Sequence, residues 1–107
     1  MAGVVHVPWY ATGLRGDKLA AALAEISAVA LRYGATEYLV YRSREDRYRF
    51  IQLATFDDKL DFERYWYSEE IADLRAQASG LYQVPVLPMT FRVVDAGELV
   101  EVPDAGA

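Results

Sequence analysis

Apolar and polar positions recur along this chain with two periods, one near 3.6 and one of 2. Val4 to Tyr10 is β-rich, and Pro8 cannot donate to a ladder, so a strand is expected to end or bulge there. Ala11 to Gly16 carries two glycines and reads as a loop. Beyond it Leu19, Leu23, Ile26, Ala30 and Tyr33 recur at helical spacing and define one apolar face. Asp17 is the expected N-cap, and Gly34 stands where a helix-ending glycine belongs. Thr36–Ser43 and Tyr48–Phe56 read as strands joined by the charged turn Arg44-Glu45-Asp46-Arg47, an antiparallel hairpin. Asp57 or Asp58 caps a second helix through about Tyr67, with Leu60, Phe62, Trp66 and Tyr67 as its apolar side. Ser68 followed by Glu69 and Glu70 marks a fresh start, so a short helix is expected from Glu69 to Ser79, ending at Gly80. Tyr82–Val94 is the last expected strand, confined to a sheet edge by Pro85 and Pro88. Leu99–Val102 could add a short strand, and Pro103–Ala107 is expected to fray.

The order is β-α-β-β-α-β, a ferredoxin-like α+β arrangement with helices on one face of an antiparallel sheet. One domain spanning residues 1–107 is expected, with 95–107 as its tail. The hairpin, however, is apolar on both faces. Tyr48, Phe50, Ala54 and Phe56 fall on one side of its second strand, and Ile51 and Leu53 on the other. The first strand repeats this, with Tyr38 and Val40 against Leu39 and Tyr41. A sheet with one wet face should alternate apolar and polar. The helices suffice for one face, so the other is expected to be covered by a second copy of the chain. The pattern leaves open which face that is.

Composition narrows the function classes. Hydrophobic residues make up 53% and aromatics 13%, enough for a substantial core and too many for disorder. A net charge of −5 argues against nucleic acid as the main partner. There is no cysteine, hence no disulfide, thiolate nucleophile or Cys-ligated metal, which fits a reducing cytoplasm. The first residues lack a basic-then-apolar leader pattern, and no stretch has the length of a membrane span. Cytoplasmic residence without a membrane partner is therefore expected. The chain has no Asn and one His, and no phosphate loop, nucleophile elbow or metal-ligand spacing.

The stretches Tyr38-Leu-Val-Tyr-Arg-Ser43 and Tyr48-Arg-Phe-Ile-Gln-Leu-Ala-Thr-Phe56, followed by the helix from Asp57 to Trp66, carry a resemblance. Over about residues 4–94 the chain resembles the antibiotic biosynthesis monooxygenase-like domains of the dimeric α+β barrel superfamily. The resemblance implies a homodimer and cofactor-free oxidation of a small planar aromatic or apolar molecule, with Trp66 matching a pocket tryptophan. Tyr65 is the alternative occupant of that position. The Asn that oxidising members use has no counterpart here, and Arg75 and Ala76 stand where haem-degrading members carry a His.

Three residues are candidates for chemistry. His6 is the only imidazole, and reads either as a general base or as a hydrogen-bonded strand residue. Gln52 interrupts an apolar strand face and needs a partner if buried. Trp66 reads as a stacking wall or as core. Tyr38, Arg42, Phe50, Tyr65 and Tyr82 are candidates for substrate contact. No cofactor and no metal are expected. Two further readings stay open: a dimeric module without chemistry, either a ligand carrier or a stress-associated interaction domain, and an isomerase or lyase acting on a small acid, with His6 as base and Arg42 or Arg49 as anchor. Convergence of His6, Gln52 and Trp66 on one cavity would favour chemistry; separate environments would favour the module.

Overall fold

The computed structural model describes residues 3–100. Strand β1 is Gly3–Tyr10, helix α1 Gly16–Val29, β2 Ala35–Arg42, β3 Arg49–Phe56, α2 Lys59–Trp66, α3 Glu69–Gln77 and β4 Met89–Arg92. The four strands form one antiparallel sheet in the order β2-β3-β1-β4. β1 and β2 thus flank β3, with α1 crossing over between them, which is the split arrangement expected. Among the described residues no helix is long and apolar enough to cross a membrane.

The helical period of α1 buries Leu19, Leu23, Ile26 and Val29 against β2 and β3. Each such side chain contributes roughly 1.5–3 kcal/mol when fully buried. A tight turn, Ala30–Tyr33, extends the helix to Gly34, which adopts φ 102°. That left-handed conformation suits glycine. The expected cap at the other end is corrected. Arg15 occupies the N-cap position without a side-chain cap, and Asp17 lies inside the first turn, where its carboxylate accepts from Arg42 Nη1 at 2.7 Å. The glycine at position 16 leaves room for Arg42 in this position. A Cβ there would stand 2.5 Å from Arg42 Nη2 and 3.1 Å from the Arg47 carbonyl.

Asp58, rather than Asp57, caps α2, accepting from the Leu60 amide. Ser68 caps α3 through the Ile71 amide, as expected. Tyr82–Val94 does not form one strand. Tyr82 makes an isolated bridge to Ala11, and pairing resumes only at Met89. Pro85 and Pro88 lack the amide hydrogens a ladder needs, which shortens β4 and leaves it at the sheet edge. Leu99 and Val100 are not in a strand, and residues 101 and 102 of that expected element lie outside the described residues, as does 103–107.

The two sheet faces differ. Val5, Val7, Trp9, Phe50, Gln52, Ala54 and Phe56 are buried beneath the helices. On the opposite face Leu39 (45% exposed), Tyr41 (53%), Ile51 (36%), Met89 (49%) and Phe91 (47%) meet solvent. The face that the hairpin pattern left unassigned is therefore the helix-covered one for Tyr38, Val40 and Phe50, and the open one for Leu39, Tyr41 and Ile51.

Candidate functional site

Strand alternation carries Trp9, after Val5 and Val7, onto the covered face. There it meets Gln52, a neutral amide among Phe50, Ala54 and Phe56. Gln52 is 1% exposed, so its polar atoms need partners. Its Oε1 accepts from Trp9 Nε1 at 3.0 Å, and its Nε2 donates to the Tyr65 hydroxyl at 2.8 Å. That hydroxyl donates in turn to the Ile26 carbonyl of α1 at 2.6 Å. One polar chain thus joins β1, β3, α2 and α1. Burial pushes the Tyr65 phenol up from its ordinary value, with the Gln52 hydrogen bond acting weakly against that.

Around this chain lies an aromatic cluster. Trp66 stacks on Phe62, with centroids 6.0 Å apart, and meets Trp9 edge-on at 6.1 Å. Tyr82 packs edge-on against the other side of Trp9 at 4.9 Å. The Arg75 guanidinium sits over Trp66, 4.6 Å from the ring centroid. Its buried Nε has no hydrogen-bond partner among the described residues.

A cleft of about 290 Å³ opens beside this cluster, between α2 and the β1–β4 side of the sheet. Its existence follows from the layer geometry. α1 packs on β2 and β3, and α2 on β3, so no helix covers β4. Val5, Phe56 and Phe62 supply apolar surface. Gly3 adds none, and an ideal Cβ there would have nothing closer than Thr90 Cγ2 at 3.6 Å. Asp57, Lys59 and Arg92 line the cleft as its charged members. An apolar floor with a charged rim suits a small, largely apolar molecule, and the volume lies near the small end of ligand sites.

The candidates from the sequence divide among several places. Gln52, Tyr65, Trp66 and Tyr82 come together around Trp9, although Gln52 and Tyr65 are consumed by their mutual hydrogen bonds. None of the four lines the cleft, and Trp66 adjoins it only through Phe62. His6 is elsewhere. It pairs with Leu53 and Met89 in the register and packs edge-on against Phe91 on the open face. Arg42 lies over Phe50, 5.0 Å from its centroid, and is held by Asp17. Tyr38 is half-buried at the other end of the sheet, opposite Ala54. His6, Gln52 and Trp66 therefore do not share one cavity. Trp9 is not among those candidates, although strand alternation with Val5 and Val7 is the signal that places it. Lys59, Thr90 and Arg92 had no sequence signal, because the cleft depends on how short β4 is. Among the described residues no three His, Asp or Glu side chains form a group that could hold a metal ion.

Solved structures with the same arrangement are numerous. SnoaB, a cofactor-independent oxygenase from Streptomyces nogalater, superposes with a TM-score of 0.76 at 14% identity, covering 89% of this chain and 95% of that one. A candidate antibiotic biosynthesis monooxygenase from Nitrosomonas europaea gives 0.77 at 13% identity, over 87% and 90% of the two chains. Rv0793 from Mycobacterium tuberculosis gives 0.75 at 16%, over 92% and 100%. The chain has the antibiotic biosynthesis monooxygenase fold. At these identities the likeness concerns the fold alone. No family sequence model matches this chain, and no curated protein sequence does. The monooxygenase-like fold and the ferredoxin-like α+β architecture stand as expected from the hairpin and the helix after it.

Proposed function

We propose that this monooxygenase-like chain binds a small, planar, apolar molecule in the cleft between α2 and β4 and oxidises it with dioxygen, without a bound cofactor. The observation that carries the reading is the apolar cleft over Val5, Phe56 and Phe62, on a fold shared with a cofactor-independent oxygenase. Such chemistry needs a ligand that stabilises its own carbanion. A methylene between two aromatic rings loses a proton to water or to the Asp57 carboxylate at the rim. The carbanion then adds dioxygen, and the peroxide loses water to leave a ketone. One oxygen atom stays on carbon and the other leaves as water. The protein's part is to bind, orient and exclude bulk water. His6, on the opposite sheet face, has no proton-transfer role in this reading, and Trp66 backs the cleft through Phe62.

A second reading, a ligand-binding module without turnover, is favoured by the separation of His6 from Gln52 and Trp66 and by the saturation of Gln52. Both readings include a homodimer in which a second copy covers Leu39, Tyr41 and Ile51. Five large apolar side chains on one open face are an unusual patch for a monomer.

The test uses anthrone as probe, following binding by tryptophan fluorescence and turnover by oxygen uptake. Binding with uptake, both lost in Gly3→Leu while the circular dichroism spectrum is unchanged, supports the oxygenase. Binding without uptake supports the module. No binding removes both.

A further inference from the structure

The charges that line the α2–β4 cleft do not follow the net charge of the chain. The chain carries a net charge of −5, yet two of the three charged side chains lining this cleft are cationic. They come from opposite walls, Lys59 from the first turn of α2 and Arg92 from the end of β4. Neither is occupied in holding the fold. Lys59 reaches only Glu63, at 3.9 Å on the same helix, and is largely exposed. Arg92 makes no ion pair or side-chain hydrogen bond among the described residues, and neither does Asp57. Arg42 and Arg64, by contrast, are engaged, Arg42 by Asp17 and Arg64 by Asp61 at 3.1 Å.

Resting on the reading that the cleft holds a small apolar molecule, we propose that its ligand is an aromatic monocarboxylic acid. The ring system lies on Phe56 and Phe62, and the carboxylate projects to the mouth between Lys59 and Arg92. The planar guanidinium of Arg92 matches a carboxylate in two-point geometry, while Lys59 acts as a point charge from the facing wall. Asp57 limits the charge the mouth accepts. With Glu63 beside Lys59, the two cations are offset by two carboxylates, so a second carboxylate on the ligand would meet an uncompensated negative charge, which disfavours a dianion against a monoanion. The apolar floor supplies affinity that a free inorganic anion cannot use.

The experiment is calorimetric titration of the full chain with 2-naphthoate, its neutral isostere 2-naphthamide, and 2,6-naphthalenedicarboxylate, at low and high salt. 2-Naphthoate is expected to bind at least about tenfold more tightly than the amide at low ionic strength, since charge-assisted hydrogen bonds are roughly twice as strong as neutral ones. High salt should shrink that ratio, because these side chains are exposed. Arg92→Gln and Lys59→Gln should each reduce it by weakening acid binding more than amide binding, and the dicarboxylate should bind no better than the monoacid. Equal binding of acid and amide overturns the acid proposal and leaves the cleft reading standing. Failure of both ligands to bind overturns the cleft reading, and the acid proposal with it. Acid binding that survives Gly3→Leu overturns the proposal too, by putting the acid elsewhere.

Discussion

The chain of hydrogen bonds from Trp9 through Gln52 and Tyr65 to the Ile26 carbonyl makes a quantitative test of the core. Gln52→Leu keeps the volume roughly constant but leaves the Trp9 indole N–H without an acceptor in a buried site. One orphaned buried donor costs about 1–3 kcal/mol. Tyr65→Phe leaves two groups unpaired, the Gln52 Nε2 and the Ile26 carbonyl, for roughly 2–6 kcal/mol. The double variant again leaves two groups, the Trp9 N–H and the Ile26 carbonyl, because the Gln52 amide is gone. Its loss should therefore fall short of the sum of the single losses by about 1–3 kcal/mol, the term that Gln52 Nε2 contributes only when present without Tyr65. Urea unfolding followed by far-ultraviolet circular dichroism, at one fixed protein concentration, reads all four corners of the cycle. For a chain of this size each kcal/mol also moves the Tm by roughly 4–8 °C. Strict additivity, or a Gln52→Leu variant as stable as the parent, would refute the reasoning.

Other consequences are as direct. Ser68→Ala removes the side-chain acceptor for the Ile71 amide at the start of α3, and should lower stability by about 1 kcal/mol in the same unfolding assay. The buried Tyr65 phenol has a raised pKa, so its contribution is complete below the unfolded value near 10 and is lost as pH climbs through the folded value; wild type should lose stability above about pH 10 more steeply than Tyr65→Phe. The Arg42 hydrogen bond, aided by its charge, holds Asp17 below the usual carboxylate range. Arg42→Met should return it upward in a carboxylate-resolved NMR titration. Its stabilisation is present above the unfolded pKa and vanishes as pH falls through the lowered one. Sedimentation should show a homodimer that Leu39→Glu with Ile51→Glu converts to a folded monomer; a monomeric parent would remove the dimer proposal.

Much of the architecture was written in residue spacing. Leu19, Leu23 and Ile26 fixed α1, Ser68 with two following acids fixed α3, and the hairpin's strands ended within a residue of their expected bounds. What failed has local causes. Asp17 has the chemistry of a cap, but Arg42, distant in sequence, took its carboxylate into an ion pair. Pro85 and Pro88 signalled an edge, and their missing amide hydrogens also removed most of the strand, leaving Met89–Arg92. Of the site, Gln52 was legible as a misfit in an apolar face, and its partner Tyr65 was named separately. Their junction was not legible, because Trp9, Gln52, Tyr65 and Ile26 meet only once four elements have packed. The cleft was invisible for the same reason: it is a gap left by two helices and a short strand, not a motif.

The single buried amide has a consequence for how the sheet finds its pairing. With apolar side chains on both faces, the hairpin tells β3 little about which side should meet the helices. Sliding β3 by one residue against β1 would invert every side chain. Leu53 and Ile51 would fill covered positions at little hydrophobic loss, so in the middle of the strand the mistake would be nearly silent, and only Arg49 and Thr55 near its ends would resist burial. Gln52 breaks that degeneracy. In the native alignment its amide has two partners, and in a slipped one Trp9 faces a hydrocarbon while the amide goes to the open side. The polar chain acts as a key that only one alignment turns, so its worth lies in discriminating between sheets of nearly equal greasiness.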